Sequence, residues 1–127
     1  MRYTPKQIEK YRRQKYIAHL EKIGKNLFRM FRDPGTRSEK FLKRFDELME
    51  RLNGLESIRL DSEYLRESEA HYRTLHQKIH ENDFDDEALD AMRENAMSEL
   101  NRLQKMKNRS SYRKAKHRER VHRDGWE

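Results

Sequence analysis

Between two helix-breaking pairs, Pro34-Gly35 and Asn53-Gly54, the apolar residues Phe41, Leu42, Phe45, Leu48, Met49 and Leu52 recur at steps of three and four. Residues so spaced lie on one side of an α-helix, which turns by about 100° per residue, so this stretch is a helix with one buried face. Three further stretches follow the same rule: Tyr16, Leu20, Ile23, Leu27, Met30 and Phe31; Tyr64, Leu65, Tyr72, Leu75 and Ile79; and Leu89, Met92, Ala96, Leu100 and Leu103. Valine occurs once and threonine three times, which leaves too few β-branched side chains to furnish a sheet. The expectation is an all-α protein. Helices joined by connections of a few residues prefer antiparallel neighbours, so the fold is either a four-helix antiparallel bundle or two packed helical hairpins.

The punctuation between the stripes sets the expected boundaries. Thr4-Pro5-Lys6-Gln7 reads as a helix start, with Thr4 as cap, Pro5 at the first helical position and Gln7 completing a capping box, and Tyr3 with Ile8 as a hydrophobic staple. This first helix runs to about Arg32, where Asp33-Pro34-Gly35 stops it. Its length, roughly 42 Å at 1.5 Å per residue, exceeds what its partners cover, so an overhang is expected. Ile8 and Tyr11 fall out of phase with the stripe that begins at Tyr16, which suggests that they pack on something else, a second subunit for example. Gly24 inside the helix suggests close packing there. Thr36-Arg37-Ser38-Glu39 reads as a second capping box, and Gly54 as a left-handed stop. Asp61 and Asp85 are the expected caps of the third and fourth helices, with Leu60 to Leu65 and Phe84 to Leu89 staples. The third helix should end near Glu81 and the fourth near Asn108, giving a bundle domain over 1–108 and a flexible basic tail over 109–127.

Composition limits the core and the chemistry. Charged residues make up 42% of the 127, and Leu, Ile, Val and Phe together number only 23, so a large, well-filled core is not expected. Cysteine is absent, which excludes disulfides, thiolate catalysis and cysteine zinc sites. Apolar runs reach three residues, as in Tyr16-Ile17-Ala18, too short for a membrane span, and the reading is a cytoplasmic protein. Net charge is +7 and unevenly spread: +8 over residues 1–32, zero over 33–60, −7 over 61–104 and +6 over 105–127. Two basic ends flank an acidic middle, an asymmetry that bears on partners rather than on fold.

The basic ends supply the candidate site. On the first helix Lys15, Lys22, Lys25, Arg29 and Arg32 fall within about 100° of one another, opposite the apolar stripe, with Arg12 and Arg13 just upstream. Acids are nearly absent from this helix, only Glu9 and Glu21, whereas an ordinary solvated face mixes signs. The tail adds Arg113, Lys114, Lys116, Arg118, Arg120 and Arg123, interleaved with Tyr112, His117, His122 and Trp126, a composition suited to phosphates and to stacking on bases. The competing readings are a solvated helix face and a tail that solubilises the protein or docks on its own acidic helices.

Other constellations point to less. Asp83, Asp85, Asp86, Glu87 and Asp90 crowd a helix start, where negative charge is stabilising, and no glycine is present for a calcium loop. Glu69, His76 and His80 share an edge of the third helix, but Gln77 stands where a zinc-protease pattern needs glutamate, so a structural or surface role is the expectation and no cofactor or metal is expected. No glycine-rich phosphate loop and no nucleophile beside a base occurs, so an enzyme is not expected. The leading expectation is a small helical protein that binds nucleic acid, RNA or ribonucleoprotein rather than DNA bases, since no groove-reading helix pair is evident. The alternative is a protein-interaction adaptor, assembly factor or regulator that oligomerises or completes its core with a partner helix. Attachment of the first helix to a membrane surface ranks below both, because the bundle uses its apolar side.

Overall fold

The computed structural model describes residues 4–109 as helices α1 (Pro5–Arg32), α2 (Ser38–Gly54), α3 (Glu63–Glu81) and α4 (Asp86–Arg109). No strand occurs among the described residues, and none of their helices is long and apolar enough to cross a membrane.

Side-chain contacts between helices fix the topology. Along α1 and α2, His19 meets Leu48, Asn26 meets Arg44 and Phe31 meets Phe41, so one helix advances as the other retreats. Arg93 and Lys107 of α4 reach Phe31 and Glu21 of α1, again antiparallel, and Arg73 and His76 of α3 reach Asn53 and Asp46 of α2 in the same sense. By contrast α1 and α3 run parallel, with Tyr16 at Glu69 and Gly24 at Tyr72. The fold is therefore an up-down-up-down four-helix bundle.

The predicted apolar stripes form one continuous core. Leu20, Ile23 and Leu27 of α1, Phe41 and Phe45 of α2, Leu65 of α3 and Leu89 of α4 are almost wholly buried. The Phe41 ring is the hub of one end, with centroids 4.9 Å from Phe31, 5.8 Å from Phe45 and 5.6 Å from Phe84. Burying a side chain of this size stabilises by about 1.5–3 kcal/mol, which is why a chain poor in apolar residues must place nearly all of them inward. Gly24 lets α3 approach: a Cβ there would lie 2.5 Å from the Tyr72 hydroxyl. Residues 4–12 are exposed throughout and the core begins at Tyr16, so α1 does overhang the bundle.

Helix ends follow the sequence in part. At α1, the Thr4 hydroxyl accepts from the Gln7 amide and the Gln7 side-chain oxygen accepts from the Thr4 amide, completing the expected capping box. Its staple partner Tyr3 lies outside the described residues. At α4, Asp85 accepts from the Ala88 amide, as expected. At α2 the expected box does not form: the N-cap is Arg37, Thr36 turns inward and donates to Asp33, and the Ser38 amide is satisfied by Asp86 of α4, 2.8 Å away. A carboxylate from another helix has replaced the local cap. At α3 the cap position falls on Ser62 rather than Asp61, because the Asp61 carboxylate pairs instead with Arg13 and Arg59. Gly54 is helical rather than left-handed, and α2 closes on extended Leu55.

The turn between α1 and α2 is held from across the bundle. The Arg93 guanidinium of α4 donates to the carbonyls of Met30 (2.7 Å), Phe31 (3.0 Å), Asp33 (2.9 Å) and Thr36, while its Nε binds Asp90 at 2.9 Å. Carbonyls at a helix C-terminus have no partner inside the helix, and here one cation gathers them. Nothing in the spacing of the sequence announced this role for Arg93.

Candidate nucleic-acid interface

The outer side of α1 is a cationic stripe. Lys15, Lys22, Lys25, Arg29 and Arg32 are all exposed, and none has a carboxylate within 4.0 Å among the described residues. Most other arginines among the described residues are engaged, for instance Arg37 with Asp86 and Asp90, Arg73 with Glu69, and Arg102 with Glu99 and Glu67. The two upstream candidates behave differently from the rest, since Arg12 pairs with Glu56 at 3.0 Å and Arg13 with Asp61 at 3.2 Å. Both acids belong to the connection between α2 and α3, so these arginines moor the overhang and their charge is partly answered within the chain.

An aromatic ring extends the stripe. At about 100° per residue, Tyr11 has the azimuth of Lys22 and Arg29, and it is 64% exposed. Its displacement from the core stripe, together with that of Ile8, therefore sets it on the cationic side. From Tyr11 to Arg32 the stripe covers roughly 32 Å of helix.

Where the stripe meets α4, an open groove of about 840 Å³ lies between α1, α3 and α4. Phe28, Tyr64, Tyr72, Leu100 and Leu103 form its apolar lining, while Lys25, Arg29 and Arg32 stand on its α1 side. Lys107 on the α4 side is held by Glu21 at 3.2 Å and lies over the Tyr64 ring, 5.7 Å from its centroid. Burial pushes the Tyr72 phenol well above its usual range. An apolar trough with cations on its edge suits a ligand that joins a flat apolar part to an anion. The groove was invisible in the sequence, because its walls come from three helices; only the basic edge had a one-dimensional signal.

The remaining candidates separate. Glu69 does not join His76 and His80: it binds the Tyr16 hydroxyl and Arg73. Burial, then the Glu69 bond, raises the Tyr16 phenol. The residue that meets both histidines is Asp46, thirty positions upstream of His76 on α2. The acidic cluster at the start of α4 divides its labour, with Asp85 capping α4 while Asp86 and Asp90 hold Ser38 and Arg37 at the start of α2. The Ser38 amide keeps Asp86 below the usual carboxylate range, and Arg93 followed by Arg37 does the same for Asp90. The tail candidates Arg113, Lys114, Lys116, Arg118 and Arg120 lie outside the described residues.

No protein-family model, curated protein or solved structure matches this chain.

Proposed function

We propose that this chain is a non-enzymatic helical module that binds nucleic acid, single-stranded RNA in preference to duplex DNA, along the outer side of α1. The observation that carries this reading is a row of exposed lysines and arginines along one side of α1 that, among the described residues, have no carboxylate partner, whereas most other described arginines are paired. Lys15, Lys22, Lys25, Arg29 and Arg32 contact successive phosphates, each contact releasing condensed counterions. Tyr11 offers a stacking face at one end of the row, and the groove beside the partly buried Phe28 accepts an unstacked base at the other. Unpaired, splayed bases reach such faces, whereas bases inside a duplex do not, which is the reason for preferring single strands. The arginine-rich segment 113–120 adds sequence-independent charge to the same task.

Fluorescence anisotropy with labelled single-stranded RNA, single-stranded DNA and duplex DNA at several salt concentrations tests the reading. With about five phosphates engaged, log affinity falls against log salt with a slope near −3.5 for a single strand. The double reversal Lys22→Glu with Arg29→Glu weakens binding at least roughly 100-fold, and Tyr11→Ala weakens it by about tenfold or more. Absence of binding at low salt overturns the proposal.

A second reading is favoured by one observation, the exposure of Ile8 and Tyr11 on the overhang. On that reading the overhang docks on a protein, another copy of this chain or a partner helix. Sedimentation of the native chain and of an Ile8→Ser, Tyr11→Ser variant tests the first of these: a concentration-dependent assembly that the variant abolishes supports an interface between copies, and a monomer in both cases removes self-association.

A further inference from the structure

Asp46 is the point where two imidazoles converge. His76 Nε2 lies 2.7 Å and His80 Nε2 2.6 Å from the same carboxylate oxygen, Oδ1. The rings come from consecutive turns of α3, four residues apart, and stand edge to face with centroids 4.6 Å apart. The Phe45 ring packs edge-on against His76 at 4.9 Å and fixes its orientation from the α2 side. All three ligating atoms lie within 4.8 Å of one another. Asp46 and His80 remain nearly half exposed, 42% and 46%, so solvent has access to a fourth position.

We propose that Asp46, His76 and His80 form a binding site for a divalent transition-metal ion of the zinc class, tying α2 to α3. Such an ion bonds imidazole nitrogen and carboxylate oxygen at about 2.0–2.2 Å, which sets tetrahedral ligand atoms roughly 3.4 Å apart. The present separations of the carboxylate oxygen from each nitrogen need to open by less than about 1 Å, a small side-chain rotation at a partly exposed edge. On binding, both Nε2 lone pairs turn to the metal with the ring protons on Nδ1, and the carboxylate offsets half of its charge. Two nitrogen donors out of three favour zinc, cobalt, nickel or copper over magnesium and calcium, which demand oxygen. Histidines four apart on a helix are a chelating pair already fixed by the backbone, and the third ligand arrives from a different helix, so the site exists only in the folded chain.

Calorimetric titration of the full-length, chelator-treated chain with zinc chloride, and visible absorption with cobalt, test the proposal. Binding of one equivalent is expected, with a midpoint of thermal unfolding raised by roughly 10 °C when free zinc is about a hundredfold above its Kd, and no comparable rise with magnesium. Asp46→Asn keeps an acceptor for both rings while removing the charge, and His80→Gln alters a half-exposed position, so both variants fold; each lowers zinc affinity at least roughly 100-fold. A His117→Ala, His122→Ala variant binds as the native chain does. The proposal is overturned by no zinc binding to the native chain, by native affinity in both Asp46→Asn and His80→Gln, or by loss of binding when only His117 and His122 are replaced.

Discussion

At its C-terminal end α1 delivers its last carbonyls to a guanidinium only 13% exposed, beside the buried rings of Phe31 and Phe41. At its other end residues 4–12 are exposed on all sides, moored by the surface pairs Arg12 to Glu56 and Arg13 to Asp61. One helix thus carries two regimes of order. The inner half is held by burial and by charge-assisted hydrogen bonds in a partly dry environment, where each contributes most. The overhang is held by its own capping box and by ion pairs screened by water, typically 0.2–1 kcal/mol each. The cationic stripe runs across both regimes, so a polyanion would meet a rigid segment from Tyr16 onward and a more yielding one before it.

The largest expected effect lies at the clamped end. Arg93→Ala removes the shared donor for the carbonyls that end α1 and should destabilise the fold by about 3–4 kcal/mol in denaturant titration. A loss below roughly 1 kcal/mol would mean that both ends of α1 are held alike and would dissolve the contrast. Next is Gly24→Ala, where the new methyl meets the Tyr72 hydroxyl. Overpacking costs about 1–3 kcal/mol, against about 1 kcal/mol of better helix propensity. The same substitution made beside Tyr72→Phe should be near neutral or stabilising, and equal costs in both backgrounds would show that Tyr72 is not the obstacle.

The bundle end should also respond to pH in a way the overhang does not. His71 on α3 carries a buried Nε2 with no hydrogen-bond partner among the described residues, and its pKa is lowered by burial, with Glu99 working against and Arg102 reinforcing the effect. A base whose folded pKa is depressed binds more protons when unfolded, so its contribution to stability is undiminished above the ordinary imidazole range. That contribution is lost as pH falls from there through the folded value. His71→Gln should flatten the fall in unfolding midpoint between pH 7 and 5, and identical slopes in the two proteins would refute this assignment. The smallest effect belongs to the overhang: Glu56→Gln with Asp61→Asn should cost less than about 1 kcal/mol, vanish in high salt, and raise rather than lower affinity for a polyanion, because Arg12 and Arg13 are released.

Much of the bundle was legible from spacing. Every residue of the stripe from Tyr16 to Phe31 is buried, and Gly24 does mark a close approach. What failed were inferences about helix ends that depend on distant partners. The capping box read at Thr36 gave way because Asp86 of α4 reaches the Ser38 amide, and Asp61 left its cap position for Arg13 and Arg59. Of the candidate site, the exposed row from Lys15 to Arg32 followed from periodicity, but the pairing of Arg12 and Arg13 did not. Asp46 could not be associated with His76 and His80 until α2 and α3 were seen side by side.

By itself the sequence determined that there are helices, where each begins and ends to within a few residues, and which side of each turns inward, because those properties are set by neighbours three or four positions away. Only the tertiary structure decided which cations lack a carboxylate partner among the described residues, that Asp86 rather than Thr36 closes the start of α2, and which side chains meet as a groove or a ligand set. Those outcomes depend on residues tens of positions apart competing for the same partner in space, and the spacing of a single helix holds no record of that competition.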